Sequence, residues 1–155
     1  MHIKQAVPAE AADIAALVGE LLREIMDAIG EQAFRFDLDE TAERLERFLK
    51  EGKYFVFVAR SPEGMAGFIA LTESHALYAE GAYGIIPELY VRPAHRSHGV
   101  GASLLKAAHA FARDKGWARL EVTTPPLPQF QLTLDFYENQ GFSIAGGRKL
   151  KLGLR

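Results

Sequence analysis

The sequence predicts a mixed α/β domain in which helices pack on one central sheet. Three observations predict it. Apolar residues recur at three- and four-residue spacing in three long segments. Short runs rich in β-branched and aromatic residues lie between these segments, and glycine or proline separates the two kinds of segment. The length of 155 residues fits one domain, residues 1–155, with a single core.

The first half of the chain predicts a strand, two helices and a hairpin. Pro8 suits the start of the first helix and Gly30 its end, and Asp37 suits the N-cap of the second helix. The expected elements are a strand at His2–Val7, a helix from Pro8 to Gly30, a helix at about Leu38–Lys50, and hairpin strands at Tyr54–Arg60 and Met65–Thr72.

The second half predicts an irregular strand, a long helix and three short strands. Pro87 lies inside the irregular strand and cannot donate to a ladder, so we expect a bulge or an unpaired stretch beside it. The expected elements are a loop at Glu73–Gly84, a strand at Ile85–Val91, a helix at Gly99–Lys115, a strand at Trp117–Val122, a helix at about Phe130–Asn139, and strands near Phe142–Ala145 and Arg148–Leu152. The order is β-α-α-β-β-β-α-β-α-β-β, a mixed sheet of six to seven strands with about four helices.

Composition excludes several classes of function. The formal net charge of −2 offers no basic excess for a phosphate backbone, which disfavours a nucleic-acid partner. The absence of cysteine excludes disulfides, cysteine zinc sites and a cysteinyl thioester intermediate. No apolar run has the length of a signal peptide or of a membrane span, so we expect no membrane partner and a cytoplasmic location.

The most informative motif is Arg96-x-x-Gly99-x-Gly101, which joins an apolar strand to a helix. The first turn of a helix has unpaired N–H groups, and glycine lets a phosphate approach them closely. Arg96 would add a cation, with His95 and His98 close in sequence. The two histidines have too few partners to predict a metal. The motif therefore predicts a diphosphate site, and it matches neither the Walker nor the Rossmann pattern.

The remaining pattern, Arg/Gln-x-x-Gly-x-Gly/Ala after an apolar strand, resembles the acetyl-CoA-binding motif of the GNAT acetyltransferases. The resemblance extends upstream to Leu89-Tyr90-Val91-x-Pro93 and downstream to Leu104-Leu105. It also includes Phe136-Tyr137-Glu138-x-x-Gly141-Phe142, at the family's spacing. The predicted element order is similar along nearly the whole chain. The resemblance implies a GNAT fold that binds acetyl-CoA as co-substrate.

The resemblance also implies roles for individual residues. Leu89 and Val91 would offer backbone groups to the pantetheine arm, and Arg96 through Ala102 would hold the pyrophosphate. The implied cofactor-binding residues are Leu89, Tyr90, Val91, Arg96, Ser97, His98, Gly99, Val100, Gly101, Ala102 and Tyr137. Many relatives have a pantetheine-binding asparagine about seven residues before the tyrosine. Here that position is Phe130, beside Gln129 and Gln131.

Two implied catalytic residues each have an alternative reading. Tyr137 matches the tyrosine that protonates the leaving thiolate, although a tyrosine there could also only pack in the core. Glu88 lies where many relatives have an acidic residue facing the acceptor, so it is the candidate base or substrate anchor. It could equally be a solvated strand carboxylate. His75, Tyr78 and Glu80 are further acceptor-site candidates, in the expected loop before this strand.

The leading functional prediction is direct acetyl transfer from acetyl-CoA to a primary amine of a small molecule or peptide, in a ternary complex. One alternative is an inactive GNAT-fold domain that binds or senses acyl-CoA, and another is a nucleotide-phosphate binder unrelated to CoA. The resemblance is compatible with a homodimer. The identity of the amine does not follow from the sequence.

Overall fold

A computed structural model describes all 155 residues and divides them into two compact units, Met1–Thr123 and Thr124–Arg155. The strands are β1 (His2–Gln5), β2 (Phe55–Ser61), β3 (Gly64–Ala76), β4 (Gly81–Ile86), β5 (Leu89–Val91) and β6 (Leu120–Val122). The helices are α1 (Ala11–Ile29), α2 (Leu38–Lys50), α3 (Val100–Asp114) and α4 (Gln131–Asn139). None of these helices combines the length and the apolar character that crossing a bilayer requires.

The predicted α/β class is confirmed, and the helix boundaries follow from the predicted caps. Pro8 begins a 3₁₀ turn that leads into α1, and Gly30 ends α1 in the left-handed region at φ 71°. The Asp37 side chain accepts a hydrogen bond from the backbone N–H of Glu40 at 2.9 Å, which caps α2.

The predicted loop at Glu73–Gly84 is wrong. β3 continues to Ala76 and β4 begins at Gly81, so only a tight turn separates them. Glu73 and His75 are exposed, while their neighbours Thr72, Ser74 and Ala76 are half-buried. This alternation is typical of a strand with one solvent-exposed face. The polar residues on that face give the segment a composition similar to that of a loop.

The two predicted terminal strands, near Phe142–Ala145 and Arg148–Leu152, are also absent from the structure. No backbone ladder includes residues 140–155, and Leu150, Leu152 and Leu154 are exposed. Segments on either side of a turn signal such as Gly146-Gly147 become strands only where other strands satisfy their backbone groups. The observed order is therefore β-α-α-β-β-β-β-α-β-α.

All six strands belong to the first unit and form one mixed sheet. The order is β1-β2-β3-β4-β6, and β5 pairs with the part of β3 that β4 leaves free. The β4–β6 pair is parallel, and the other pairs are antiparallel. Because β3 is 13 residues long, it can pair with β4 and β5 in succession.

The irregularity predicted at Pro87 is confirmed as a register change along β3. Thr72 lies opposite Ile85, whereas Ile69 lies opposite Leu89. The register therefore shifts by one residue, and Pro87 is the extra residue of a β-bulge. Proline has no N–H to lose there, which explains why it is tolerated.

Helices cover both faces of the sheet. On one face, α1 and α2 bury Ile14, Leu17 and Leu45 against Val56 and Phe68 of the strands. On the other face, Phe111 of α3 packs against the alternate residues of β2, with ring centroids 4.9 Å from Phe55 and 5.6 Å from Phe57. We call these the α1–α2 face and the α3 face.

Candidate active site

The bulge places Glu88 on the α1–α2 face of the sheet. The Glu88 carbonyl accepts a hydrogen bond from the N–H of Ala70 at 2.9 Å, so these two residues lie opposite each other. Tyr90 lies opposite Phe68 in the same ladder. Residues that lie opposite each other in an antiparallel pair point to the same face of the sheet. The core cluster under α1 contains Ala70, Phe68 and Tyr90, so Glu88 points to that face as well.

The Glu88 carboxyl group is half-buried and has one polar partner. Its two oxygens lie 3.2 and 3.3 Å from the hydroxyl of Tyr54, which donates to them. Burial raises the pKa of Glu88 from 4.5 to about 7, although the Tyr54 hydrogen bond acts in the opposite direction. A carboxyl group with this pKa can accept and release a proton near neutral pH.

One edge of β5 has no strand partner. The N–H of Arg92 donates to the carbonyl of Ala66, and the carbonyl of Glu88 accepts from the N–H of Ala70. The backbone polar groups of Glu88 and Arg92 therefore point toward β3. Backbone groups alternate along an antiparallel strand, so those of Leu89 and Val91 face away from β3. β6 pairs with β4 and not with β5, which leaves this edge open.

The loop between β5 and α3 ends in an uncapped helix N-terminus. Gly99 is the N-cap, at φ 77° in the left-handed region, and no side chain caps the helix. The first amides of α3, from Val100 to Ala102, have no carbonyl one turn earlier in the helix. Ser97 also has a positive φ of 64°, which is unfavourable for a non-glycine residue. The loop backbone is therefore held in a specific shape in front of free N–H donors.

Tyr137 belongs to the second unit, where α4 positions it. Its side chain is buried, and its ring packs against Phe136 and Phe142 with centroids 5.2 and 5.3 Å apart. Burial raises the pKa of the Tyr137 phenol well above its usual value. The phenol therefore stays protonated at neutral pH, the form in which it can donate a proton.

Comparison with known proteins decides the family. The family model described as "Acetyltransferase (GNAT) domain" matches residues 52–144, which include β5, the glycine loop and Tyr137. The chain belongs to the GNAT acetyltransferase family. No curated protein matches its sequence.

Solved structures support the GNAT fold over nearly the whole chain. A GCN5-related N-acetyltransferase from Ralstonia eutropha JMP134 has a TM-score of 0.79 at 20% identity, over 97% of this chain and 97% of that one. An aminoglycoside acetyltransferase from an uncultured soil metagenomic sample, solved with sisomicin, has a TM-score of 0.77 at 19% identity, over 99% and 96%. A ribosomal-protein-alanine N-acetyltransferase from Brucella melitensis biovar Abortus 2308 has a TM-score of 0.74 at 20% identity, over 99% and 100%.

The Arg96 side chain of this GNAT domain already has partners. Its Nε donates to the Val91 carbonyl at 2.8 Å, its guanidinium pairs with Glu24 of α1 at 2.7 Å, and it lies 5.6 Å from the Tyr90 ring centroid. Its backbone N–H donates to Pro93. The free donors of the loop are thus backbone amides after Arg96, and the contact of Arg96 itself with a phosphate stays a prediction.

A second ion pair joins β5 to α1 in this domain. Glu20 accepts from the Tyr90 hydroxyl at 3.2 Å and from the Arg92 guanidinium at 3.0 Å. Glu20 and Glu24 lie one turn apart on α1, and each pairs with one of the two arginines that precede Gly99. No local sequence signal marks Glu20, Glu24 or Arg92, because each ion pair joins positions that are 72 residues apart.

The weaker acceptor-site candidates do not lie beside Glu88. His75 pairs with Ala82 near the far end of the β3–β4 hairpin, and Tyr78 and Glu80 lie in its turn. Five residues of β3 separate His75 from Ala70, which is about 17 Å at the usual rise per residue. Their role in binding an acceptor stays a prediction that this geometry does not favour.

The position that departs from the GNAT pattern begins α4. Phe130 is the N-cap residue of α4, Gln129 is exposed, and the Gln131 side chain donates to Asp135 at 2.9 Å. Of the two glutamines, only Gln129 has a side chain without a hydrogen-bond partner. No group of three or more histidine and carboxylate side chains has the geometry to hold a metal ion.

Proposed function

We propose that this GNAT domain transfers the acetyl group of acetyl-CoA directly to a primary amine of a small molecule or peptide. The observation that carries the proposal is Glu88, a half-buried carboxyl group with a pKa of about 7 that immediately precedes β5, the strand with an open edge. Amine acetylation requires such a base, whereas binding of acyl-CoA alone does not. Since the chain has no cysteine, the transfer cannot pass through a cysteinyl thioester, and we propose a ternary complex in which the amine attacks acetyl-CoA directly.

Backbone groups of two neighbouring segments would hold acetyl-CoA. The amides of residues 97–102 would bind the pyrophosphate, because the uncapped start of α3 presents N–H donors and the positive end of the helix dipole. The open edge of β5 would pair with the amide groups of the pantetheine arm, through Leu89 and Val91. The family match and the absence of a strand partner on this edge support this assignment. The Val91 carbonyl accepts from Arg96 Nε, so pairing there would share or replace that hydrogen bond.

Glu88 and Tyr137 would perform the two proton transfers. Glu88 takes a proton from the bound ammonium, directly or through a water, which frees the nitrogen lone pair to attack the thioester carbonyl carbon. Attack gives a nitrogen that still has one proton too many, and this proton passes to solvent as the new C–N bond is completed. As the C–S bond breaks, the Tyr137 phenol gives its proton to the departing sulfur and regains one from solvent. The Glu88 pKa of about 7 suits a base at neutral pH, and burial keeps the Tyr137 phenol in its protonated form.

We propose that residues 1–155 form one catalytic domain. Structural matches that span 97 to 99% of the chain support this proposal. The matched proteins include one described as an aminoglycoside acetyltransferase and one described as a ribosomal-protein-alanine N-acetyltransferase. Because these two acceptors differ in size and chemistry, we propose the acceptor of this chain only as a primary amine.

An amine-panel screen tests the proposal. Purified protein is incubated with acetyl-CoA and each of a set of polyamines, amino acids, aminoglycosides and peptides, and released CoA thiol is detected. Longer acyl-CoAs are tested in parallel. We expect thiol release with at least one class of amine. Binding of acetyl-CoA without turnover across the panel would instead indicate an acyl-CoA sensor, and tight ATP binding without acetyl-CoA binding would indicate a nucleotide-phosphate binder.

Replacing Tyr137 with phenylalanine is expected to lower kcat by roughly 100-fold, since positioned proton donors contribute about 10²–10⁴-fold. The affinity for acetyl-CoA should change little, because the ring and its packing against Phe136 and Phe142 are kept. Steady-state kinetics and calorimetry measure the two quantities. Phe136→Leu is the control for a packing effect, and an unchanged kcat in Tyr137→Phe would remove Tyr137 from the mechanism.

A further inference from the structure

Tyr54 contacts Glu88 from a distant part of the chain. It lies just before β2, 34 residues from Glu88, and its hydroxyl is 3.2 and 3.3 Å from the two carboxylate oxygens. Because the two distances are nearly equal, the hydroxyl lies between the oxygens. A donor in this position fixes the orientation of the carboxylate plane, which otherwise turns easily about its last torsion angle.

The Tyr54 side chain is itself held in place. Its ring lies 5.3 Å from that of Phe48, centroid to centroid, and packs against the core cluster of the α1–α2 face. The Tyr54 backbone N–H donates to the Phe48 carbonyl at 3.4 Å. Burial and the neighbouring Glu88 charge raise the pKa of the Tyr54 phenol. The phenol therefore remains a hydrogen-bond donor over the pH range in which Glu88 ionises.

We propose that Tyr54 is the positioning residue of the base: its hydroxyl orients the Glu88 carboxylate and stabilises its ionised form for proton transfer. This inference rests on the proposed function, because it assigns a partner to the base of that reaction. Neither the family match nor the sequence motifs assign a role to Tyr54.

Tyr54 is the only polar group that contacts the Glu88 side chain. The acidic residues of α1 nearest to β5 are engaged elsewhere, Glu20 with Arg92 and Glu24 with Arg96. α2 packs on this face through Leu45 and Leu49. Removing the Tyr54 hydroxyl therefore leaves a half-buried carboxylate with no hydrogen bond, and no neighbouring group replaces it. Such a carboxylate is harder to ionise and less fixed in orientation.

The test compares Tyr54→Phe with the native protein by an NMR titration of ¹³C-labelled glutamate side chains. Glu88→Gln identifies the Glu88 resonance, which we expect to titrate near pH 7 in the native protein and at higher pH in Tyr54→Phe. At pH 6.5 we expect kcat/KM of the variant to fall by about tenfold, the effect of one pKa unit, and the loss should shrink above pH 9. Tyr83→Phe, which alters a buried tyrosine on β4 that makes no contact with Glu88, should change neither quantity.

A Glu88 titration that is the same in Tyr54→Phe and in the native protein would overturn the inference, even if activity fell. If Tyr54→Phe does not fold, the ¹³Cζ resonance of Tyr54 in the native protein gives a second reading. It should shift as Glu88 ionises near pH 7 and lose that shift in Glu88→Gln, and a resonance that never senses Glu88 would also overturn the inference. A different result would overturn the proposed function itself. If Glu88 is not the base, Glu88→Gln would keep full activity, whatever the two titrations show.

Discussion

Replacing Glu88 with glutamine is expected to lower kcat/KM for the acceptor amine by about 10²–10⁴-fold, the usual contribution of a positioned general base. Glutamine has nearly the same shape and can still accept a hydrogen bond from Tyr54, but it cannot take a proton from the ammonium. Thiol release with an amine from the panel measures the effect. The affinity for acetyl-CoA, measured by calorimetry, should stay within about threefold of the native value. The substitution changes only the Glu88 side chain, whereas the proposed contacts with the pantetheine arm and the pyrophosphate are made by backbone groups.

Glu88→Gln is expected to lower activity but to raise the free energy of unfolding. The pKa of Glu88 is about 7 in the folded protein, against an ordinary value of 4.5. Between these values the folded state keeps the proton that the unfolded state has lost, so the native protein loses stability as pH rises through this window. At pH 8 we expect Glu88→Gln to unfold with a free energy about 2–3 kcal/mol higher than that of the native protein, and the difference should vanish near pH 4. A variant that is more stable and inactive could not be explained by misfolding.

Replacing Gly101 with glutamate is expected to weaken acetyl-CoA binding by at least about 100-fold. Gly101 lies in the first turn of α3, which the proposal gives to the pyrophosphate. A carboxylate there would occupy the anion site and repel the phosphates, two effects that each contribute on the order of 1–3 kcal/mol. Calorimetry with acetyl-CoA measures the loss.

Gly101→Gln is the matched control, because it has the same side-chain size without the charge. We expect it to weaken binding by roughly tenfold through steric effects alone. Glutamate should leave the fold intact, since an acidic residue in the first turn of a helix is favourable by about 0.3–1 kcal/mol. Equal affinities in the two variants would show that no anion binds at this turn.

The parts of the fold that could be predicted are those with local signals. α1, α2 and α3 have a long apolar periodicity and recognisable ends at Gly30, Asp37 and Gly99. The β3–β4 hairpin was mistaken for a loop, because Glu73 and His75 give its wet face a loop-like composition. The terminal strands were predicted on either side of Gly146-Gly147, a hairpin-type turn, and a turn signal does not supply the rest of a sheet.

In the candidate site too, features with a local sequence signal could be predicted and contacts between distant positions could not. Pro87 indicated the bulge, and the motif indicated Glu88 and the loop to α3, because these depend on residues close in sequence. The contact of Tyr54 with Glu88 joins positions 34 residues apart, and that of Arg96 with Glu24 joins positions 72 apart. Such pairs depend on how the helices pack on the sheet, which a single sequence does not specify.

The claim on which the rest depends is that the backbone amides at the start of α3 bind the pyrophosphate of coenzyme A. An amide-resolved ¹H–¹⁵N NMR titration with acetyl-CoA tests it most directly. The largest shifts are predicted for residues 97–102, with the amides of Leu89 and Val91 next, while those of the β2–β3 turn stay in place. Saturating acetyl-CoA that left the amides of residues 97–102 unmoved would contradict the account.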